Sequence, residues 1–369
     1  MSTQISSAEA IILKVGQRGD WLIVLLHTAN GMVGLGEASQ STNDQATSAC
    51  VYEFGRVLQN RKIENIPSIV EELRASAHDH FAAVALSGIE QALWDVAGQV
   101  AGLPLAELLG GSHHPEVSVY ANINRGTVDR SPDGFAASAK RAVHAGFRAI
   151  KCSPFDGVEF TSCREPGAWA KIALGIERAS AVRDAIGTEV ELMVDCLYRF
   201  DGLLALQVAT ALKPLRLAWL EDPVMCDDLD GLRLVRTRAD IPLATGEQLH
   251  QARSYWPLLR EHLVDYLLPD VKHCGGVGSM LEIGHAASIA GIGIAPHNPS
   301  GPISTLVSAH ILATMSNAVW LEFATAEVSW RAELLEPQER TSKEGAMRIP
   351  HTPGLGARLN AAVVEAHRK

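Results

Sequence analysis

The sequence predicts an α/β protein built as a (β/α)8-type TIM barrel, with an N-terminal α+β capping unit that the C-terminal tail completes. Three observations predict it. From Val117 onward, short apolar runs alternate with amphipathic helical stretches. The runs number eight, the strand count of a closed barrel. Five consecutive runs, the third to the seventh, end in an acid or a histidine at nearly constant spacing.

In chain order, Ala8–Val15, Trp21–Thr28 and Val33–Glu37 read as strands, the last two joined by the turn Ala29-Asn30-Gly31. Helical patterns follow over Ala46–Leu58 and Ile66–Leu73. The clearest helix is Val84–Ala101, with Val84, Leu86, Ile89, Leu93, Val96 and Val100 at helical spacing. Gly102-Leu103-Pro104 ends it, since glycine closes a helix and proline cannot continue one. The barrel strands are expected at Val117–Asn122, Ala149–Ser153, Val190–Cys196, Ala218–Asp222, Leu243–Glu247, Tyr266–Asp270, Gly293–His297 and Val319–Phe323. An open doubly wound sheet has a similar alternation but requires no set of eight. The organisation expected is a capping unit over 1–115, a catalytic barrel over 116–325, and a segment 326–369 returning to the cap through Pro353-Gly354-Leu355-Gly356.

The chain has 369 residues, 47% of them apolar and 20% charged, the balance of a globular enzyme with a large core. A net charge of −10 argues against nucleic acid and anionic membranes as partners. The six cysteines, Cys50, Cys152, Cys163, Cys196, Cys226 and Cys274, form no CxxC pair, so neither a zinc cluster nor a dithiol redox site is expected. The opening MSTQISSAEA lacks a basic region leading into an apolar run, and no apolar stretch reaches membrane-spanning length. A reduced, cytoplasmic protein is therefore expected. Neither a phosphate-binding GxxxxGK[ST] loop nor a GxGxxG after a strand is present. Gly275-Gly276-Val277-Gly278 reads as a strand-to-helix connection.

Asp195 closes the third barrel run, Glu221 the fourth, Glu247 the fifth, Asp270 the sixth and His297 the seventh, at intervals of 26, 26, 23 and 27 residues. Each step is one β/α unit, so all five groups face the mouth at the strands' C-terminal ends, where barrel enzymes do their chemistry. Any one acid alone could cap a helix or pair with a base. The whole register is not explained that way. Charges ending apolar strands are costly unless paired or coordinated. Three neighbouring carboxylates repel one another unless a cation sits among them. A set of oxygen ligands with positions open for water and substrate suits Mg2+ better than zinc.

The segments MVDCLYRF, AWLEDPV, PLATGEQL, PDVKHCGGVGSM and APHNPSGPIS resemble the enolase superfamily, within its mandelate racemase-like group. SGIEQALWDVAGQVAGLPLAELLGG resembles the stretch that precedes the barrel there, and GLGEAS resembles the capping domain, so the similarity spans nearly the whole chain. The resemblance implies one Mg2+ held by Asp195, Glu221 and Glu247, and a catalytic dyad in which Asp270 orients His297. It implies that Glu322, in WLEF, hydrogen-bonds the substrate carboxylate, the alternative being a solvated strand-end glutamate. It implies abstraction of the proton beside a small-molecule carboxylate, and a homo-oligomeric assembly. Such a proton is weakly acidic because its removal leaves a dianionic enolate, which explains the need for a metal and a well-placed base. A Lys or His base working with Mg2+ is the arrangement that meets this need.

Departures from the group's pattern select among reactions. Related racemases carry a Lys-x-Lys pair on the second strand, the second lysine being the base opposite the histidine. Here Lys151 matches the first and Ser153 replaces the second. A hydroxyl is too weak a base for that role unless another group activates it. Lys151 is expected either to neutralise the substrate carboxylate or to pair with a metal-site acid. With one clear base, elimination fits better than inversion, and the expected activity is a lyase dehydrating a sugar acid (aldonate or aldarate) to a 2-keto-3-deoxy acid. A racemase, epimerase or cycloisomerase is the alternative isomerase reading, and a non-catalytic scaffold a more distant one. Leu197 stands where many relatives carry a polar residue. Tyr198 and Arg199 read as solvent-facing loop residues, and Lys272 as a loop residue and second-choice acid/base. The lid loop, about Gly16–Asp20, is short, so the site stays open unless Glu37–Gln45 or a neighbouring subunit closes it.

Overall fold

Ile5–Leu13 (β1), Trp21–Thr28 (β2) and Val33–Glu37 (β3) form an antiparallel meander in the computed structural model, which describes residues 3–16, 19–342 and 344–369. Because side chains alternate across a strand, β2 serves two cores. Leu22, Val24 and Leu26 pack with the helices of the cap, whereas Trp21, Ile23 and Leu25 join the large core shared with the barrel. That is why β2 reads as one unbroken apolar run.

Asp44–Leu58 (α1), Ile66–Arg74 (α2) and His80–Ala101 (α3) cover the meander. α3 begins four residues before the periodicity predicts, because the Asp79 carboxylate accepts from the Ala82 amide at 2.8 Å and caps it there. Gly102 ends it in the left-handed region, φ 69°. Leu105–Leu108 (α4) leads into the barrel.

The eight parallel strands are Glu116–Asn122 (β4), Ala149–Cys152 (β5), Glu191–Asp195 (β6), Trp219–Glu221 (β7), Leu243–Thr245 (β8), Tyr266–Leu267 (β9), Gly293–Ile294 (β10) and Leu321–Ala324 (β11). They pair in sequence order, and β11 returns to β4. At the seam between β10 and β11 the ladder is reduced to the Ile294–Ala318 bridge, with Ile294 donating to the Asn317 carbonyl and Val319 donating to that of Ile294. Helices Pro132–His144 (α5), Ala168–Ile186 (α6), Gly202–Leu212 (α7), Leu229–Arg238 (α8), Gln251–Arg260 (α9), Gly276–Ile289 (α10) and Pro302–Ala313 (α11) are interleaved with these strands. Tyr120, Met193 and Trp219 fill the barrel alongside the small Ala149, Ala244 and Ala295. The Tyr120 and Trp219 rings meet edge to face at 5.5 Å.

Several strands are shorter than expected. β8 stops two residues before Glu247, β9 three before Asp270 and β10 three before His297. Past those ends single backbone bonds continue, Leu268 to the Thr245 carbonyl and Ala295 to that of Leu267, and Glu247, Asp270 and His297 stand beyond them joined through their side chains. The eighth strand begins at Leu321 rather than Val319, which is occupied by the seam.

The tail contributes Leu335–Glu336 (β12), Ala346–Arg348 (β13), Arg358–Leu359 (β14) and Ala361–His367 (α12). β13 pairs antiparallel with β4, the Leu355 amide donates to Asp95 of α3 at 2.7 Å, and the Lys369 amide donates to the Ile12 carbonyl. The tail thus touches both barrel and cap. No helix among the described residues is long and apolar enough to cross a membrane, and the six cysteines are unpaired.

Glu37, at the end of β3 and fully buried, ties the cap to the barrel. Its carboxylate accepts from the amides of Gly301 and Ser304 at 2.8 and 2.9 Å, satisfying orphan donors at the start of α11. Replacing it leaves those donors buried and unpaired. Glu37→Ala is therefore expected to cost about 1–3 kcal/mol in urea unfolding, and an unchanged midpoint would show that water replaces the carboxylate.

Candidate active site

Asp195 and Glu221 are the last residues of β6 and β7, paired side by side in the sheet. Asp195 accepts from the Ser153 hydroxyl at 3.0 Å and from the Leu197 amide at 2.8 Å. Glu221 lies two residues after Trp219, hence on the same face, and accepts from its indole N–H at 2.8 Å. Its other oxygen is held by Lys151 at the mouth of β5. Glu247 stands beyond β8 with its carboxylate 2.9 Å from His297 Nε2.

The acid that joins Asp195 and Glu221 at ligand range is Asp222, whereas Glu247 is turned to His297. Asp222 is fully buried, and ligand atoms of Asp195, Glu221 and Asp222 lie within 4.8 Å of one another. Strand spacing does not single it out, because it follows Glu221 directly and should point to the opposite face. Its left-handed backbone, φ 45°, breaks the alternation. The aspartate of LEDP, set against a proline, is the one signal available in the sequence.

Burial pushes Asp195 up to about 6 and Glu221 up to about 8; Lys151 opposes both shifts, while Glu247 adds to the first and Asp195 to the second. Burial, with the charges of Glu247 and Glu221, also raises Asp222 well above its ordinary value. A buried set of oxygen donors that resist ionisation together has the chemistry of a hard-cation site, and the residues fit one. The pH consequence follows. In the unfolded chain these carboxyls ionise near the ordinary 3.8 and 4.5, and in the folded chain only at higher pH. Over the interval between, the unfolded state has released protons that the folded state retains, so stability falls as pH rises. The melting temperature in EDTA is expected to drop from about pH 5 to about pH 8, and Mg2+ to reverse the drop; a flat profile would mean the acids ionise without strain.

Asp270 follows β9 and is fully buried. Lys272 Nζ donates to both of its oxygens at 2.8 Å, and His297 Nδ1 donates to Oδ2 at 2.8 Å. Burial would raise Asp270, but Lys272, His273 and His297 outweigh it and hold the carboxyl well below the usual range. The Asp270 acceptor fixes one imidazole proton on Nδ1, and Nε2, the position left to exchange a proton with substrate, is here paired with the Glu247 carboxylate. Burial lowers the His297 pKa, yet Glu247, Glu322 and Asp270 together raise it well above its ordinary value. Lys272 lies in the turn beyond β9, as the sequence suggests. It is buried and committed to Asp270.

Glu322, on β11, is fully buried, which corrects the solvated alternative. It accepts from Asn122 Nδ2 at 2.6 Å and from the Asn298 amide at 2.8 Å, and pairs with Lys151 at 3.0 Å. Burial would raise its pKa, but Lys151 and His297 pull it down to about 2. Lys151 is therefore tethered between Glu221 and Glu322, and Ser153 is tied to Asp195. No untethered base faces His297 from β5.

A cavity of about 390 Å³ is lined by Lys151, Ser153, Asp195 and His297 on the barrel side and by Gln40 and Thr42 from the cap. A second hollow of about 380 Å³ shares Gln40, Thr42 and His297 and runs past Glu247 to His80, His250 and His273. Gln40 and Thr42 are left-handed, φ 67° and 71°, and the polar stretch SQSTND is their signal in the sequence. Part of Glu37–Gln45 thus faces the site. Of the lid loop, Gly19 reaches the first cavity, whereas Gln17 and Arg18 lie outside the described residues. Arg125 also lines it, paired with Glu327. Tyr198 is 6% exposed rather than solvent-facing, because its amide bonds to the Asp222 carbonyl at 2.9 Å and turns the ring inward. Arg199 turns away to the Val158 carbonyl and Glu159.

Residues 134–363 match the family model described as Enolase C-terminal domain-like, and residues 9–110 match that of the Mandelate racemase / muconate lactonizing enzyme, N-terminal domain. The chain belongs to the enolase superfamily, in its mandelate racemase/muconate lactonizing enzyme branch. This family member is 32% identical to a D-xylonate dehydratase of Haloferax volcanii over 359 residues, covering 94% of this chain and 85% of that protein. It is 30% identical to a D-gluconate dehydratase of Thermoproteus tenax over 352 residues, covering 94% and 69%. Its fold superposes on a mandelate racemase/muconate lactonizing enzyme-like protein of Rubrobacter xylanophilus with a TM-score of 0.91 at 29% identity, covering 100% and 98% of the two chains. The barrel-plus-cap architecture is that of the superfamily.

Proposed function

We propose that this protein is a Mg2+-dependent hydro-lyase that dehydrates a sugar acid to its 2-keto-3-deoxy product. The observation carrying the proposal is one-sided base placement. His297, set by Asp270, faces the cavity next to the acid cluster, while the β5 wall offers only the tethered Lys151 and the neutral Ser153. The dehydratase relatives support the same reading.

Asp195, Glu221 and Glu247 would hold the cation. When bound, it supplies Lewis-acid stabilisation of the charge that develops on the substrate carboxylate. His297 Nε2 takes the α-proton, and the C–H electron pair moves into an enediolate. The Cβ–O bond then breaks, and the hydroxyl leaves as water with the proton available on the imidazolium. Loss of H2O gives an enol that becomes the 2-keto-3-deoxy acid. Asp270 holds Nδ1 in place throughout. Lys151 keeps a fixed positive charge between Glu221 and Glu322. Gln40 and Thr42, from the cap, narrow the mouth against water.

Incubating the protein with Mg2+ and a library of sugar acids in D2O, followed by proton NMR, tests the reading. Accumulation of a 2-keto-3-deoxy acid supports it and names the substrate. Deuterium entering the α-position without loss of water would instead assign an epimerase or racemase.

A further inference from the structure

We infer that Asp222 is a positioning residue of the cation site, holding a water of the cation's shell through its free carboxylate oxygen. The inference rests on the Mg2+-dependent reading above and adds a residue to it. Thr245, at the end of β8, donates its hydroxyl to Asp222 Oδ1 and fixes the carboxylate's orientation. Oδ2 is buried and without hydrogen-bond geometry to any group among the described residues, the adjacent Tyr198 hydroxyl included, which is itself buried without a partner. A buried carboxylate oxygen without a donor is costly, and two such atoms beside an acid cluster mark a place that a bound group completes. The same left-handed backbone that turns Asp222 inward keeps it within 4.8 Å of the ligand atoms of Asp195 and Glu221.

The arithmetic of coordination assigns the role. Mg2+ takes oxygens in near-octahedral order and keeps some of its water. Three carboxylates and the substrate's carboxylate leave room for water, whose protons need acceptors. Asp222 is the acceptor with an oxygen to spare. Partners of this kind orient the shell, and their loss typically weakens metal affinity about 10–100-fold.

Without a cation, by contrast, a further buried carboxyl beside these acids costs burial and repulsion that only its Thr245 hydrogen bond offsets. A residue kept for binding and a residue kept for folding therefore give opposite results. Asp222→Asn is expected to raise the melting temperature of the protein in EDTA, to weaken Mg2+ binding by calorimetry about tenfold or more, and to shrink the Mg2+-induced rise in melting temperature. Asp222→Ser, smaller and neutral, provides the same readings if the asparagine variant fails to fold. Mg2+ affinity within about twofold of the parent in a folded variant, or a lowered melting temperature in EDTA with an unchanged Mg2+ response, would overturn the inference. If the parent itself binds no Mg2+, and Asp195→Asn changes nothing, the functional reading fails instead.

Discussion

His297→Asn is expected to lower kcat for dehydration by about a thousandfold or more, and to abolish exchange of the α-proton with solvent deuterium. Both losses follow from one atom. Nε2 is the ring position that can exchange a proton at the cavity once Glu247 is drawn to the cation, since Nδ1 is bonded to Asp270. The fold should survive, because Asp270 retains two contacts from Lys272 Nζ and one from the Lys272 amide. The deuterium measurement separates the two halves of the mechanism. A variant that still exchanges the α-proton but no longer eliminates water would make His297 the acid alone and place the base elsewhere. Lys151 would be the first group to test.

Lys151→Met is expected to have the largest effect on stability, about 3–5 kcal/mol in urea unfolding at about pH 8 to 9. The ammonium is 1% exposed and lies between two fully buried carboxylates, Glu221 and Glu322. Removing it leaves both without their shared counter-charge in a region that already holds Asp195 and Asp222. Added Mg2+ should recover part of the loss through Glu221 and little of it through Glu322, which sits with Asn122 and Asn298. Near pH 5 the penalty should be smaller, because the raised pKa of Glu221, about 8, lets that carboxyl take a proton instead. A penalty independent of both pH and Mg2+ would mean that Lys151 contributes mainly through packing against the Tyr120 ring, 5.4 Å away.

The placement of these residues is unevenly legible in the sequence. Strand-end acids at one-unit spacing can be read directly, because a barrel repeats one β/α unit and each strand delivers its last residues to the same mouth. Where the strand stops cannot. β8, β9 and β10 are shorter than their apolar runs, and the polar residues beyond them are joined by side-chain contacts that no local propensity encodes. Lys272 and Asp270 are two residues apart, and alternation can place them on one face but not decide that they bond to each other. Tyr198 and Asp222 escape sequence reasoning for one reason. Both adopt left-handed backbone that non-glycine residues seldom use, which neither strand alternation at Asp222 nor a solvent-facing loop at Tyr198 anticipates.

By itself the sequence determined the barrel and its cap, and that Asp195, Glu221, Glu247, Asp270 and His297 stand at or just beyond the ends of successive strands, because hydrophobic periodicity and a fixed repeat length are properties of the chain order. Only the tertiary structure decided what neutralises what: Lys151 between Glu221 and Glu322, Glu247 against His297, Glu37 on the start of α11. Those pairings join residues distant in sequence, and burial makes each charge choose a partner that the chain order does not name.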